Sequence, residues 1–445
     1  MAESKSEEKF DIKHTFLIGL AFFTTGISWS LYNTRVNQQL DDYFAGFVLA
    51  GLVVGILMAL DNMLGVIIQP IMGTVSDNTR SKYGRRIPYI IVGVICSAIF
   101  FALIPTGFLP TGNLPTLLIW MFLFSLSMGF YRSQAVALMP DFVKPQHRSK
   151  ANAIINIMGG VGAIVAYTMG LISGTIGLPL TFIIASIIMV VALIVLVLAV
   201  KENDAYSYKL LLEAEAKEGK IKSQKDKVGL IASFKDILNE EDKSTLFILF
   251  AIFAWFIGYQ GLESFFSIYA ATGPNGILNQ TDAFASFMFN FVALPFIIAA
   301  FPLSLLASRI GRKRCIQIGL IIMILSMLTG FLIQTLTVTM IVLVLFGIGW
   351  AFVNVNSIVI VWELAPSVKK IGTYTGLYYF FSVLAAVIGP GIVGGLRDLF
   401  GPGSLLLDGL IFFVIAFVLV FFVKRGEVEL SDEEKLAKKK AIQDL

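Results

Sequence analysis

Gly65 to Ile90 reads GVIIQPIMGTVSDNTRSKYGRRIPYI. The stretch is apolar up to Val75. It then turns polar at Asp77, carries Arg80, Lys82, Arg85 and Arg86, and returns to apolar residues at Ile87. Short loops crowded with Lys and Arg between two long apolar runs mark the cytoplasmic side of a membrane protein. The flanking runs, Phe47–Ile68 and Tyr89–Phe108, are each long enough to cross a bilayer core, which takes roughly 20 apolar residues.

Working outward, the same kind of run recurs. The first half holds Thr15–Asn33, the two runs above, Leu117–Met139, Ala151–Leu171 and Leu180–Val200. A polar stretch, Lys201–Lys243, separates these from Leu246–Ala271, Phe284–Ala307, Cys315–Gln334, Val338–Val361, Tyr374–Leu396 and Ser404–Val423. Of the 445 residues, 57% are hydrophobic and 14% charged, against about 25% charged in a soluble domain. That much apolar surface has to face lipid. Of the 34 Lys and Arg, all but Arg35, Arg132 and Arg397 fall in the two tails, the middle segment or every second loop. This alternation places both termini in the cytoplasm and supports a count of twelve. The N-terminal MAESKSEEKF lacks the apolar core of a signal peptide, so the first run is read as a retained helix.

The expected fold is therefore an all-α membrane protein with twelve transmembrane helices in two six-helix pseudo-symmetric halves. The expected parts are a cytoplasmic tail (1–13), a first half (14–200), a linker with short amphipathic helices (201–243), a second half (244–424) and a second cytoplasmic tail (425–445). The halves echo each other: Tyr83-Gly84-Arg85-Arg86 follows the second run and Ile310-Gly311-Arg312-Lys313 follows the eighth.

The opening stretch resembles the signature loop of the major facilitator superfamily, with Gly73, Asp77 and the Gly84-Arg85-Arg86 cluster in order. Its details are similar to the glycoside–pentoside–hexuronide:cation symporter family, sucrose-transporter-like branch. The run NVNSIVIVWELAP and the later GTYTGLYYFFS resemble bacterial members of that branch. The resemblance implies alternating access, with a sugar site between the halves near the bilayer midplane. It implies gating by Asp77, Arg85 and Arg86, with Arg309 and Arg312 as their second-half counterparts. There Ser308 stands in place of the acid, so a second contact has to be weaker or use another acid. Acids of the cation-coupled sugar symporters are replaced by Gly65 and Gln69, and the acid of plant sucrose–proton symporters by Met121. The first two departures argue against sodium and the third removes the plant proton route; H⁺ is the expected coupling ion, with Asp61 standing in for the missing acids.

Charges inside the runs are the candidate site. An ionisable residue at a helix centre costs roughly 2.5–3.5 kcal/mol on insertion scales and usually faces a cavity or a partner. Asp61, Gly65 and Gln69 are four residues apart and share a helix face, so Asp61 is the candidate coupling acid. Arg132 either contacts substrate or pairs structurally with Asp141, Glu363 or another acid. Glu263, Tyr259 and Gln260 in the seventh run, Trp29, Tyr32 and Asn33 in the first, and Asn354 and Asn356 in the tenth offer hydroxyl partners and ring faces for a sugar. Arg35 and Asp408 lie near outer ends and are read as interfacial. His14 and His147 lie at cytoplasmic ends.

No Walker loop, GxGxxG after a strand, HExxH or metal-spaced Cys/His set occurs. The expectation is a non-enzymatic transporter of the cell membrane, with no cofactor, no metal and no nucleic-acid partner. Its partners are a small-molecule sugar, H⁺ and the bilayer. Two alternatives stay open: transport of another amphiphile such as a lysolipid or drug, and a non-transporting sensor on the same scaffold.

Overall fold

The computed structural model describes residues 10–143, 148–218, 238, 242–365 and 371–426. The expectations placed on His147, on linker residues 219–237 and 239–241, on Pro366 and on the tail beyond 426 lie outside that set. The described residues are helical almost throughout and form twelve helical segments long and apolar enough to span a membrane. In chain order the helices are α1 (Ile12–Tyr43), α2 (Ala50–Met58), α3 (Leu60–Asp77), α4 (Ile87–Leu103), α5 (Leu114–Phe142), α6 (Arg148–Ile176), α7 (Leu178–Ala199) and α8 (Tyr206–Glu218). They continue with α9 (Ser244–Ala270), α10 (Asp282–Phe287), α11 (Asn290–Ile310), α12 (Arg312–Leu332), α13 (Leu336–Leu364), α14 (Ile371–Phe400) and α15 (Leu405–Phe421). The all-helical architecture follows from lipid, where backbone polar groups must be satisfied within each segment.

Local chemistry sets the ends. Asn113 caps α5 by accepting a hydrogen bond from the Thr116 N–H at 2.9 Å, and Thr281 caps α10 through Phe284 at 3.3 Å. Gly311, with φ +97°, makes the sharp turn between α11 and α12 that a side chain would strain. The second span is interrupted at Ala59, between α2 and α3, and the eighth between α10 and α11. The two interrupted helices occupy corresponding places in the halves, as the sequence echo anticipates.

The contacts divide the chain into two compact units: Met1–Gln39 with Leu60–Lys225, and Leu40–Ala59 with Asp226–Leu445. In the first unit α5 packs against α3 and α4, and α4 against α7. In the second, α9 is the central helix, packed on α14 and α15, and α13 packs on α11 and α12. The segment Leu40–Ala59 joins this second unit because α2 lies against α14. Elsewhere large apolar side chains stay exposed, Ile298 at 72% and Leu399 at 76% among them. Water would not tolerate so continuous an apolar surface, and lipid does.

Candidate functional site

In the first unit the polar residues of α1 are buried, against the usual rule for a helix surface. Tyr32, Asn33, Arg35, Asn37 and Gln38 are all within the core. Trp29 and Tyr32 stack at 6.3 Å between ring centroids, and the Arg132 guanidinium lies over the Trp29 ring at 5.6 Å. Tyr32 in turn packs on Phe124 at 5.3 Å. Arg132, Trp29 and Tyr32 thus form one row of ring contacts built from α5 and α1, and Asp61 of α3 is buried in the same unit. Asp61 is buried in the first turn of α3 and Gly65 is buried one turn on.

Two of the acids weighed as partners of Arg132 are engaged by other arginines. Asp141 is taken by Arg85, whose Nη2 lies 2.6 Å from it, and by Arg86 at 3.3 Å. Glu363 is taken by Arg312 at 2.7 Å. The cation–ring contact with Trp29 is the interaction that holds Arg132 among the described residues. The interfacial reading of Arg35 and Asp408 is corrected: both are buried, at 6% and 0% exposure. Arg35 lies well inside α1, which runs on to Tyr43, and Asp408 is covered where α15 packs on α9, α12 and α14.

The second unit holds an aromatic wall. Tyr259 stacks on Trp350 at 4.2 Å and 12° between planes, with Phe346 one turn earlier on α13 at 6.3 Å. Phe256 meets Trp350 and Tyr378 edge-on at 5.5 and 6.4 Å. Gln260 is half-buried beside Tyr259, and Glu263 is buried one helical turn further along α9. The tenth-span amides differ from each other. Asn354 is half-buried, whereas Asn356 is fully buried and donates to the Phe352 carbonyl oxygen of its own helix at 2.8 Å. Trp350 and Tyr378 were not singled out from the sequence. Trp350 sits four residues before Asn354, and that spacing was the available signal.

At the C-terminal end of α3 in the first unit, Asp77 pairs with Arg86, which also contacts Ser76. Arg85 turns instead to Asp141 and Ser207. The linker closes this knot. Arg80 holds Glu215 of α8 at 2.7 Å, and Glu202 accepts from the N–H groups of Arg86 and Ile87 at 2.7–2.8 Å, capping α4 from outside its own sequence. Burial pushes the Glu202 carboxyl up from the ordinary glutamate range, the N–H groups of Ile87, Arg86 and Arg85 pull it down, and the Asp141 charge adds to the rise. The second unit repeats the plan with Arg312 on Glu363, which is the other acid that the serine at position 308 called for. Arg309 is exposed in the last turn of α11.

A cluster at the C-terminal end of α14 in the second unit was not anticipated. Both terminal nitrogens of Arg397 lie 3.3 Å from Asp41 Oδ1, and Asn275 donates to Asp41 Oδ2 at 2.9 Å. Next to it, Asp398 accepts from the N–H groups of Gly51 and Leu52 at 2.9 Å each, capping α2 from α14. The pairing joins residues more than three hundred positions apart, so no local pattern could signal it.

Among the described residues no group of His, Cys, Asp and Glu is arranged to hold a metal. Both cysteines are free, Cys315 buried and Cys96 partly so. What the arrangement offers is ring faces, hydroxyl partners and buried charge, in both units.

The family model of the Major Facilitator Superfamily matches residues 15–275 and 266–444. A lactose permease of Lactobacillus helveticus is 33% identical over 98 residues, a stretch that spans 22% of this chain and 13% of that protein. Among solved structures, a bacterial homolog of the human lysosomal transporter Spinster superposes with a TM-score of 0.65 at 16% identity, covering 92% of this chain and 96% of that one. The nucleoside transporter NupG gives 0.64 at 15% identity over 91% and 98% of the two chains. A peptide transporter of the POT family in complex with alafosfalin gives 0.62 at 17% over 91% and 93%. These structures establish the shared fold.

Proposed function

Because the chain belongs to the Major Facilitator Superfamily and is built as a multi-pass membrane transporter, we propose that it moves a sugar, a glycoside or small oligosaccharide, by alternating access coupled to H⁺. The observation that carries this reading is the row Arg132–Trp29–Tyr32, with Asp61 buried in the same unit. A ring face suits the C–H side of a sugar, and the flanking polar groups suit its hydroxyls. The stacked Tyr259 and Trp350, with Gln260, Glu263 and the exposed share of Asn354, supply the same chemistry in the second unit. Asn33 and Asn356 complete the set of substrate-side residues. The partial likeness to a lactose permease supports a sugar over the nucleosides and peptides named for the structural neighbours. Thermal stabilisation of the purified protein across panels of sugars, nucleosides and peptides tests it, since a specific ligand raises stability by mass action. At about 100 times its Kd a ligand adds about 2.7 kcal/mol. Stabilisation by nucleosides or peptides and by no sugar would sink the substrate class.

The orientation belongs to this proposal, with both termini cytoplasmic in the cell membrane. Single cysteines at Asn113 and Asp282 are expected to react with an impermeant reagent added outside, and one at Lys225 is not. The opposite labelling overturns the orientation.

Asp77, Arg85, Arg86, Arg309 and Arg312 are its gating residues. A charge-assisted contact made in one state and broken in the other sets the rate of interconversion. Asp77→Ala is expected to keep substrate binding, because the binding row is untouched, and to slow turnover about tenfold, equivalent to about 1.4 kcal/mol. Parental turnover in reconstituted vesicles would remove Asp77 from the gate.

A further inference from the structure

The last span carries a carboxyl group that the binding row does not use. Asp408 lies in the first turn of α15 and is fully buried. Its Oδ2 is 2.7 Å from Ser404 Oγ, and its Oδ1 has no hydrogen-bond partner among the described residues. Ser404 Oγ is also 2.8 Å from the carbonyl oxygen of Gly401.

Counting donors decides the state of this carboxyl. A hydroxyl owns one hydrogen, and a backbone carbonyl can only accept. The Gly401 carbonyl already accepts from the Ser404 N–H at 3.1 Å, so the Ser404 hydroxyl is free to donate to Asp408 Oδ2, and that is the one hydrogen bond the carboxyl receives among the described residues. An ionised Asp408 would be a buried charge with that single donor, an arrangement that proteins avoid by pairing or neutralising the group.

The groups around it are few. α15 packs against α9, α12 and α14. α9 carries Tyr259, Glu263 and Tyr269; α12 carries Arg312, Lys313 and Arg314 in its first turn; α14 carries Tyr374, Tyr378, Tyr379, Arg397 and Asp398. Of these, Arg397 is tied to Asp408 by the short turn between the helices: its carbonyl oxygen accepts from the Gly401 N–H at 2.8 Å, and Ser404 joins Gly401 to Asp408. Arg397 is committed elsewhere, to Asp41 at 3.3 Å and to the face of Phe265 at 5.3 Å.

We propose that Asp408 is a proton-binding site, loaded in this conformation, and that Arg397 is shared between it and Asp41. While Asp41 holds Arg397, Asp408 keeps its proton. When Leu40–Ala59 leaves α14, Arg397 loses Asp41 and turns to Asp408, whose proton leaves to water. Protons then favour the clasped arrangement of Asp41 on Arg397. This site is separate from Asp61 and does not rest on the coupling role proposed for that residue.

The test needs neither substrate nor transport. Infrared spectra of the full purified chain in lipid nanodiscs at neutral pH report protonated carboxyl groups through their carbonyl stretch. The parent is expected to show such a band, shifted by deuterium exchange, that disappears in Asp408→Asn. The asparagine still accepts from Ser404 through its amide oxygen, so its melting temperature checks the fold. Should that variant fail to fold, Ser404→Ala is read instead: removing the donor is expected to move the same band to higher frequency. Asp41→Asn frees Arg397 and is expected to weaken the band roughly twofold or more at the same pH, because an uncommitted positive charge favours the ionised acid. Carboxylate bands in place of the protonated band in the parent, or spectra of Asp408→Asn and Ser404→Ala identical to the parent, overturn the proton site. An undiminished band in Asp41→Asn overturns the sharing of Arg397.

Discussion

Asp61→Asn is expected to abolish accumulation of substrate against a gradient while leaving substrate binding and substrate-for-substrate exchange in place. Asp61 is buried at 5% exposure in an apolar helix. A carboxyl in such surroundings either finds a partner or takes up a proton. If the proton and the sugar favour the same conformation, each raises the affinity of the other, and that reciprocity is what coupling means energetically. Asparagine copies the neutral acid in size and polarity but cannot exchange a proton. A one-for-one symporter driven by a pH step of about one unit concentrates its substrate about tenfold at most. The variant is expected to stop at equal concentrations on the two sides. Proteoliposomes with an imposed pH gradient read the difference directly. If Asp61 were structural, the same substitution would lower the melting temperature or substrate affinity. Accumulation equal to that of the parent would rule Asp61 out as the coupling site.

The second large effect is expected at the seam between α2 and α14. The buried face of α2 is Ala50, Gly51, Val54, Gly55 and Met58. A Cβ built on Gly51 would lie 2.5 Å from the Gly394 carbonyl oxygen and 2.8 Å from Asp398 Oδ1. One built on Gly55 would lie 2.7 Å from the Gly391 backbone nitrogen and closer still to Pro390. These are mostly main-chain atoms, which cannot rotate aside as a side chain would. Small residues let helices approach this closely in lipid, where packing supplies the attraction. Gly55→Leu is therefore expected to drive α2 off α14 and to break both N–H contacts to Asp398 and the Asp41–Arg397 pair. Overpacking of this kind costs about 1–3 kcal/mol, which shifts a two-state balance by roughly 5- to 150-fold. Cysteines at Leu52 and Gly395, with Cys96 and Cys315 replaced, report the seam, because a Cβ on Gly395 would meet Leu52 at 3.9 Å. Their crosslinking is expected to fall by at least about tenfold in Gly55→Leu, and transport with it. Equal crosslinking in the two backgrounds would show that the close approach is not what holds the pair.

The proton site and the seam meet at neighbouring residues of α14. Asp398 caps α2 and Arg397 holds Asp41. A substitution that opens the seam is therefore also expected to empty Asp408. The infrared band and the crosslink measure the two ends of one linkage.

The sequence by itself determined the span count, the division into two halves and the basic loop clusters. Each is local or periodic. Twenty apolar residues in a row must cross lipid, and the positive charges that remain must alternate between loops. The place of Asp61, Gly65 and Gln69 on one face also follows from helix period alone. Arg132, Trp29, Tyr32 and Asp61 were legible as candidates for the same reason: polar groups in apolar runs are rare and costly.

Only the tertiary structure decided who pairs with whom. Asp141 lies nine residues from Arg132, yet it goes to Arg85 and Arg86, while Glu363 goes to Arg312. Charged groups choose partners by distance across packed helices, and helix period says nothing about which helix lies opposite. The same limit hid the burial of Arg35 and Asp408, the stacking of Tyr259 on Trp350 and the clasp of Asp41 on Arg397. Each depends on an approach between distant segments, which glycines such as Gly51, Gly55 and Gly394 permit by the absence of a side chain and which no run of neighbouring residues records.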